Sequence, residues 1–204
     1  MWRFVLRENI RRFQSLMGHA DSDDQREILR QLLEEAEVEL DELEQASTPE
    51  IALRDASLSS FADRVINQAM AVSGAQFASL QIFDDRREHL IILAQRNLRA
   101  KFLHCLSNMK PGDGSACGRC LAADAPAAIG DINDDKGFEA HREAAREAGF
   151  QAVQAFPVRD RSGKLIAVLS TYFEAPLAFS DAATSSMESF ASSIGNDLEK
   201  HLSR

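Results

Sequence analysis

The hydrophobic period of this 204-residue chain changes between a helical and an alternating pattern at defined points. Apolar and polar residues alternate at 77–83, and a returning strand is predicted at 89–94; a second pair of predicted strands lies at 152–158 and 165–173. Segments with helical spacing precede, separate and follow these two pairs, which predicts an α+β fold. Layer packing then predicts a mixed sheet, with the first and last helices of the domain on one face and the middle helices and loops on the other.

The first 46 residues have a pattern of their own. Residues 2–17 form an arginine-rich amphipathic segment, and residues 22–46 form an acidic segment with a heptad-spaced apolar stripe that includes Leu29, Leu33 and Leu40. Two such helices joined at Gly18 predict an N-terminal helical hairpin over 1–46, followed by a domain over 52–204. The stripe either closes the hairpin on itself and the domain or forms a dimer seam.

Charge and composition exclude several classes of protein. The net charge is −9, and the acids are concentrated in 21–46, so the rest of the chain is near neutral and offers no basic surface for nucleic acid. No apolar run approaches the roughly 20 residues that a membrane span needs. Three cysteines, an odd number, and no secretory signal favour a cytoplasmic protein with reduced thiols.

A glycine-rich turn at 111–114 runs into a short helix that carries Cys117 and Cys120. A Cys-x-x-Cys pair at a helix start predicts a lowered pKa for the first thiol, and Arg119 adds a nearby positive charge. Such a pair can be inert core packing, a redox switch or half of a metal site. Inert packing ranks first, and no metal site is assigned because no second cysteine pair is present.

Ordered motifs between residues 61 and 202 together resemble a GAF domain, a small-molecule sensory module of bacterial signalling proteins. They are the paired strands 77–83 and 89–94, the turn and helix PGDGSACGRCLAADAPAAIGDI, the segment REAAREAGFQAVQAFPVRDRSGKLIAVLSTYF and a closing helix after Ser180. The chain looks most similar to the GAF domains found in and beside sensor kinases. The resemblance implies a central antiparallel sheet with helices on both faces, and a ligand pocket.

The position of residues within these motifs gives the candidates for the pocket: Gln81, Phe83, Cys105, Cys117, Phe156, Ser170 and Tyr172. Each could instead fill the core. The signatures of pigment-binding, cyclic-nucleotide-binding and methionine-sulfoxide-reducing GAF domains are incomplete here, so the ligand and any cofactor are unknown. No catalytic set of side chains can be assembled, which predicts that the chain is not an enzyme.

The resulting hypothesis is a stand-alone cytoplasmic GAF sensor that binds an unidentified small ligand. It signals through a helix-mediated homodimer, built from 22–46, 52–72 and 180–202, and through a partner such as a sensor kinase. Within the hairpin or across the dimer, we expect the acids of 34–44 to face four arginines: Arg3, Arg7, Arg11 and Arg12. The alternative is a thiol redox sensor or thiol enzyme that uses Cys117 and Cys120.

Overall fold

The computed structural model describes residues 2–20, 22–44, 49–84, 89–107 and 109–202. Its five strands are β1 Phe77–Asp84, β2 His89–Arg96, β3 Ala127–Ile129, β4 Ala152–Arg159 and β5 Leu165–Phe173. They form one sheet in the order β2-β1-β5-β4-β3, and each neighbouring pair is antiparallel. The antiparallel sheet implied by the resemblance is therefore confirmed. The mixed sheet from layer packing is wrong, because the two hairpins join through an antiparallel pair of β1 and β5.

The helices follow the predicted segments closely. They are α1 Trp2–Met17, α2 Asp23–Glu44, α3 Pro49–Ser73, α4 Ala100–Ser107, α5 Ala116–Ala123, α6 Arg142–Ala148 and α7 Asp181–Leu202. A 3₁₀ helix, Lys136–His141, precedes α6 where a continuous helix was expected. Pro49 begins α3, since proline fits the first turn of a helix. The linker 45–48 and the turn 85–88 lie outside the described residues.

Each face of the sheet has its own apolar core. On one face α3 and α7 lie side by side and bury residues such as Phe61, Ile66 and Leu198 against the sheet. Helix α7 approaches β4 so closely at Gly195 that a Cβ there would collide with the carbonyl oxygen of Arg159. On the other face α4, α5 and α6 cover the strands, and the hairpin of α1 and α2 adds its apolar residues to that core.

The first part of the apolar stripe of α2 is buried inside the chain, and Leu40 is partly buried. Leu29, Leu33 and Ala36 are each shielded from solvent, and the first two belong to the same core as α4 and the central strands. Closure of the hairpin on the domain is thus the alternative that the fold supports; the side chain of Leu43 lies outside the described residues. On α7, Met187 and Ile194 are buried, whereas Phe190 and Leu202 are only partly buried.

Helix α1 protects the free edge of the sheet. Strand β2 is an edge strand, and its pairing with β1 shifts at Leu93, where one extra residue forms a β-bulge. Arg12 Nη2 donates a hydrogen bond of 3.3 Å to the carbonyl oxygen of Leu93. Edge strands need such cover because their unpaired backbone groups otherwise invite aggregation.

The arginines of α1 are arranged differently from the expectation. Arg11 pairs with Glu8 of its own helix at 2.7 Å, and Arg12 turns to the edge strand. Within the hairpin, the expected pairing with the acids of α2 is therefore wrong for these two arginines, because their positions on α1 face solvent and β2 respectively; pairing across a dimer stays a prediction. It stays a prediction for Arg7, and the side chains of Arg3 and of 41–44 lie outside the described residues.

Candidate functional site

Four polar side chains meet at the centre of the sheet, on the face covered by α4, α5 and α6. Because side chains alternate along a strand, Ser79 and Gln81 of β1 point to the same face, as do Ser170 and Tyr172 of β5. The two strands are neighbours, and Ser79 pairs directly with Ser170 in their register. All four side chains are fully buried, so their hydrogen bonds decide what this face can hold.

Three of these groups, with Cys117, form two hydrogen-bonded pairs. The hydroxyls of Tyr172 and Ser79 lie 2.9 Å apart, and Cys117 Sγ from α5 lies 3.2 Å from the hydroxyl of Ser170. Burial raises the pKa of Tyr172 well above its ordinary value, with the nearby Cys117 as a further cause. The phenol, the thiol and both serine hydroxyls are therefore neutral at pH 7.

Aromatic rings wall the site on one side. The ring of Phe102 on α4 meets Tyr172 edge-on at 5.6 Å and Phe150 at 4.7 Å between centroids. Phe150 in turn lies 4.8 Å from Tyr172. Such edge and tilted contacts are favourable for aromatic pairs, so the three rings form a continuous apolar wall beside the polar groups.

Gln81 is the incompletely bonded member of this group. Its Nε2 donates to the backbone carbonyl of Leu106 on α4 at 3.2 Å. Its Oε1 is buried and has no hydrogen-bond partner in the described structure. A buried acceptor without a partner costs roughly 1–3 kcal/mol, so this oxygen is a ready position for a donor from a ligand.

The structure brings most of the predicted pocket residues together. Gln81, Cys117, Ser170 and Tyr172 lie in the group just described. Phe83 and Cys105 are partly buried and pack against the same core at its margin. Phe156 lies on the opposite face, among the residues under α3 and α7.

Three residues of the site were missed by sequence reasoning: Ser79, Phe102 and Phe150. Ser79 could have been found from its spacing, because it stands two residues before Gln81 on the same strand and must share its face. The two phenylalanines belong to a short helix and to a loop, so only the folded chain shows that they reach Tyr172.

The cysteine pair does not have the electrostatics that its motif predicts. Ser115 caps α5 by accepting a hydrogen bond of 2.9 Å from Gly118 N, as a helix start requires. Burial nevertheless raises the pKa of Cys117 to about 11, which outweighs its hydrogen bonds to Ser170 and Tyr172. Burial, followed by the neighbouring Cys117, also raises the pKa of Cys120.

Arg119 does not supply the positive charge expected next to the thiols. Its guanidinium forms a two-point ion pair with Asp135, at 2.8 and 2.5 Å. That pair joins α5 to the segment before the 3₁₀ helix. The lowered pKa expected for Cys117 is therefore wrong, because desolvation dominates and the nearest guanidinium is already engaged.

Polar contacts fix the conformation of the glycine-rich turn before α5. Asp113 Oδ1 accepts hydrogen bonds from the backbone N and the hydroxyl of Ser115, at 2.9 and 2.6 Å. His141 Nε2 lies 3.1 Å from the backbone oxygen of Asp113. Gly114 packs directly on the backbone of Gly137, where a Cβ would collide. The turn and the 3₁₀ helix thus close together over the end of the site that holds Cys117.

The described residues also bear on two other kinds of site. They contain no helix with the length and apolar character that a membrane crossing requires. They also contain no cluster of three or more histidine, cysteine, aspartate or glutamate side chains that could hold a metal ion.

Comparisons with known proteins agree with this architecture. The sequence profile of the GAF domain matches residues 55–199. A search of curated proteins found no match. Among solved structures, a GAF domain from a phosphoenolpyruvate-protein phosphotransferase of Coxiella burnetii superimposes with a TM-score of 0.56 at 18% identity, covering 90% of this chain and 95% of its own.

Two further solved structures come from different kinds of protein. A domain described as part of a two-component sensor histidine kinase from Sinorhizobium meliloti gives a TM-score of 0.56 at 16% identity, over 77% of this chain and 94% of that one. The free methionine-R-sulfoxide reductase of Neisseria meningitidis, in complex with its substrate, gives 0.52 at 16% identity, over 78% and 93%. At these identities the likeness shows the fold alone. Because the family profile spans most of the chain, from α3 to α7, the protein belongs to the GAF domain family of small-molecule sensory and regulatory domains.

Proposed function

We propose that this GAF domain binds an uncharged small molecule through the sheet face that carries Gln81. The observation behind the proposal is the buried Oε1 of Gln81, which lacks a donor and stands beside neutral hydroxyls and a neutral thiol. A ligand with an N–H or O–H group would complete this acceptor, and its apolar part would pack against the wall formed by Phe102 and Phe150. A charged ligand would have to be desolvated here without a charged partner at the centre.

The same glutamine offers a route from the ligand to the N-terminal hairpin. Gln81 holds the end of α4 through the carbonyl of Leu106, and α4 packs directly against α2. We infer that residues 1–46 form an accessory hairpin on a domain over 52–204, and that the ligand shifts α4 and thereby the docking of α2. A ligand can bias this docking only by binding its two arrangements with different affinity.

A thermal-shift screen of uncharged metabolites against the full chain tests the proposal, with Gln81→Met as the diagnostic variant. The chain contains a matched control, since Gln154 is also buried, also has an unpartnered Oε1, and lies on the other face of the sheet. A ligand at about 100 times its Kd stabilises a protein by about 2.7 kcal/mol, or roughly 5–10 °C in Tm for a domain of this size. We expect that rise in the parent chain and in Gln154→Met, and its loss in Gln81→Met.

Two results would contradict the proposal. One is a screen in which no uncharged compound raises the Tm of the parent chain. The other is a compound whose effect persists unchanged in Gln81→Met, because that compound would bind elsewhere.

We further propose that the protein is cytoplasmic and forms a homodimer through α3 and α7, whose outer faces then present the signal to a partner such as a sensor kinase. The support is their side-by-side packing on one face of the sheet, with exposed residues along both. The part of the α2 stripe formed by Leu29, Leu33 and Ala36 is buried within the chain and is left out of the proposed seam. Light scattering should show a dimer of the parent chain. Asn67→Lys, at an exposed position of α3, should weaken this dimer, and Ala123→Lys, at an exposed position of α5, should not. A monomeric parent chain would refute the dimer.

A further inference from the structure

A cleft of about 470 Å³ lies where the hairpin meets the domain. Helix α1 supplies Glu8 and Arg12 to its lining, α3 supplies Asp63, and the end of β2 and the residues after it supply Arg96 and Arg99. Three arginines against two acids give this lining a net charge of +1. The cleft shares no lining residue with the candidate site on the sheet.

Two of these arginines carry unsatisfied donors. Arg12 uses Nη2 on the carbonyl oxygen of Leu93, but its Nη1 is shielded from solvent and has no hydrogen-bond partner among the described residues. Arg96 has a buried Nε that also lacks a partner in this part of the chain. Burying a guanidinium donor without an acceptor costs free energy, so an acceptor next to either arginine would be stabilising.

The two guanidinium groups also act on each other. The pKa of Arg12 is lowered, first by burial, and the positive charge of Arg96 adds to the lowering while Glu8 and Asp63 oppose it. The two carboxylates affect the pKa of Arg12 more than Arg96 does, so the observation that favours an anion is the pair of unpaired donors.

The two acids of the lining do not fill this role. Glu8 is engaged with Arg11 at 2.7 Å. Asp63 reaches Arg96 only through Nη2, at 3.5 Å, which leaves Nε unpaired. The shortfall is therefore one of acceptor oxygens near Arg12 and Arg96.

We propose that this cleft binds an oxyanion, a phosphate or carboxylate group, between Arg12 and Arg96, with Arg99 at the rim. Guanidinium groups pair with both anions through two parallel hydrogen bonds, and the anion would supply acceptors to Arg12 Nη1 and Arg96 Nε. The side chain of Arg96 is 41% exposed, so it can rotate to admit the anion. Since Arg12 belongs to α1 and Arg96 to β2, the bound anion would fasten the hairpin to the sheet edge.

Isothermal titration of the full chain with inorganic phosphate, and separately with malonate, tests the proposal at constant ionic strength set by sodium chloride. We expect saturable binding of at least one of the two anions. Arg96→Gln should weaken it about tenfold or more, because a hydrogen bond to a charged group is worth about one such factor. The matched control is Arg64→Gln: Arg64 is an exposed arginine next to Asp63, bonded to Ser60, and is expected to leave the affinity unchanged.

The titrations with phosphate and with malonate also distinguish the source of the anion. Binding of phosphate alone assigns a phosphate-bearing ligand, and binding of malonate alone assigns a dicarboxylate. If Arg96→Gln does not fold, Arg99→Gln at the exposed rim replaces it, with a smaller loss expected. Absence of binding in the parent chain, or equal affinity in the parent and the folded variant, overturns the proposal. Because the titration contains no ligand for the sheet face, its outcome is independent of that of the thermal-shift screen.

Discussion

The sharpest test of the cysteine helix is the reactivity of Cys117 toward iodoacetamide. Only the thiolate reacts, and burial moves the pKa of Cys117 from an ordinary value of 9.0 to about 11. At neutral pH the thiolate fraction is then about a hundredfold below that of an ordinary cysteine, since each pKa unit changes it tenfold. The side chain is only 2% exposed, so access to the reagent slows the reaction further.

The assay is quantitative mass spectrometry of the alkylated peptides at several pH values, with a free cysteine peptide in the same tube. Cys105 provides an internal comparison, because it is only partly buried, although burial raises its pKa too. We expect Cys117 to react at least about a hundredfold more slowly than the peptide at pH 7. A rate equal to that of the peptide, or an apparent pKa below about 8.5, would refute the reasoning and revive the redox alternative.

Three further predictions concern stability. The Cys117 thiol keeps its proton in the folded chain up to about pH 11 but loses it near pH 9 when unfolded. The stability that this group contributes below pH 9 is therefore lost between pH 9 and 11. The urea midpoint should fall over this range, and it should fall less in Cys117→Ala. Gly195→Ala should destabilise by about 1–3 kcal/mol, because the new Cβ meets the backbone of Arg159, although alanine normally favours a helix by about 1 kcal/mol; thermal unfolding measures this, with exposed Asn196→Ala as the control. Tyr172→Phe should cost about 1–2 kcal/mol by leaving the buried Ser79 hydroxyl without its partner, and the loss in urea denaturation should shrink in a Ser79→Ala background.

Secondary structure was predictable here because most elements carry a clean period. Strand β4 is the exception that matters for the site. Its sequence AVQAFPVR places apolar residues on both faces, since both faces of the sheet are covered. Alternation then cannot fix which face a residue occupies, and a shift by one residue exchanges the faces. Phe156 was grouped for this reason with residues of the opposite face, whereas the spacing of Ser170 and Tyr172 places these two on one face.

The cysteine motif shows the limit of local reasoning about pKa. A helix start and a neighbouring arginine are visible in the letters, and both were placed correctly. The depth of burial and the capture of Arg119 by Asp135, sixteen residues away, are properties of the fold. Desolvation is the larger effect, so the local pattern predicted the wrong direction for the pKa of Cys117.

The two candidate sites act on one element, the N-terminal hairpin. The site on the sheet holds α4 through Gln81, and α4 packs on α2, while the cleft holds α1 to β2 through Arg12 and Arg96. If the hairpin docks and undocks as a unit, ligands at the two sites bias the same equilibrium, and each must change the affinity of the other by the same factor. We therefore expect phosphate or malonate to slow hydrogen exchange in both α1 and α2, although only α1 lines the cleft. Protection confined to α1 would show that the helices respond separately, and the proposed route from Gln81 to the hairpin would then lack its two-state element.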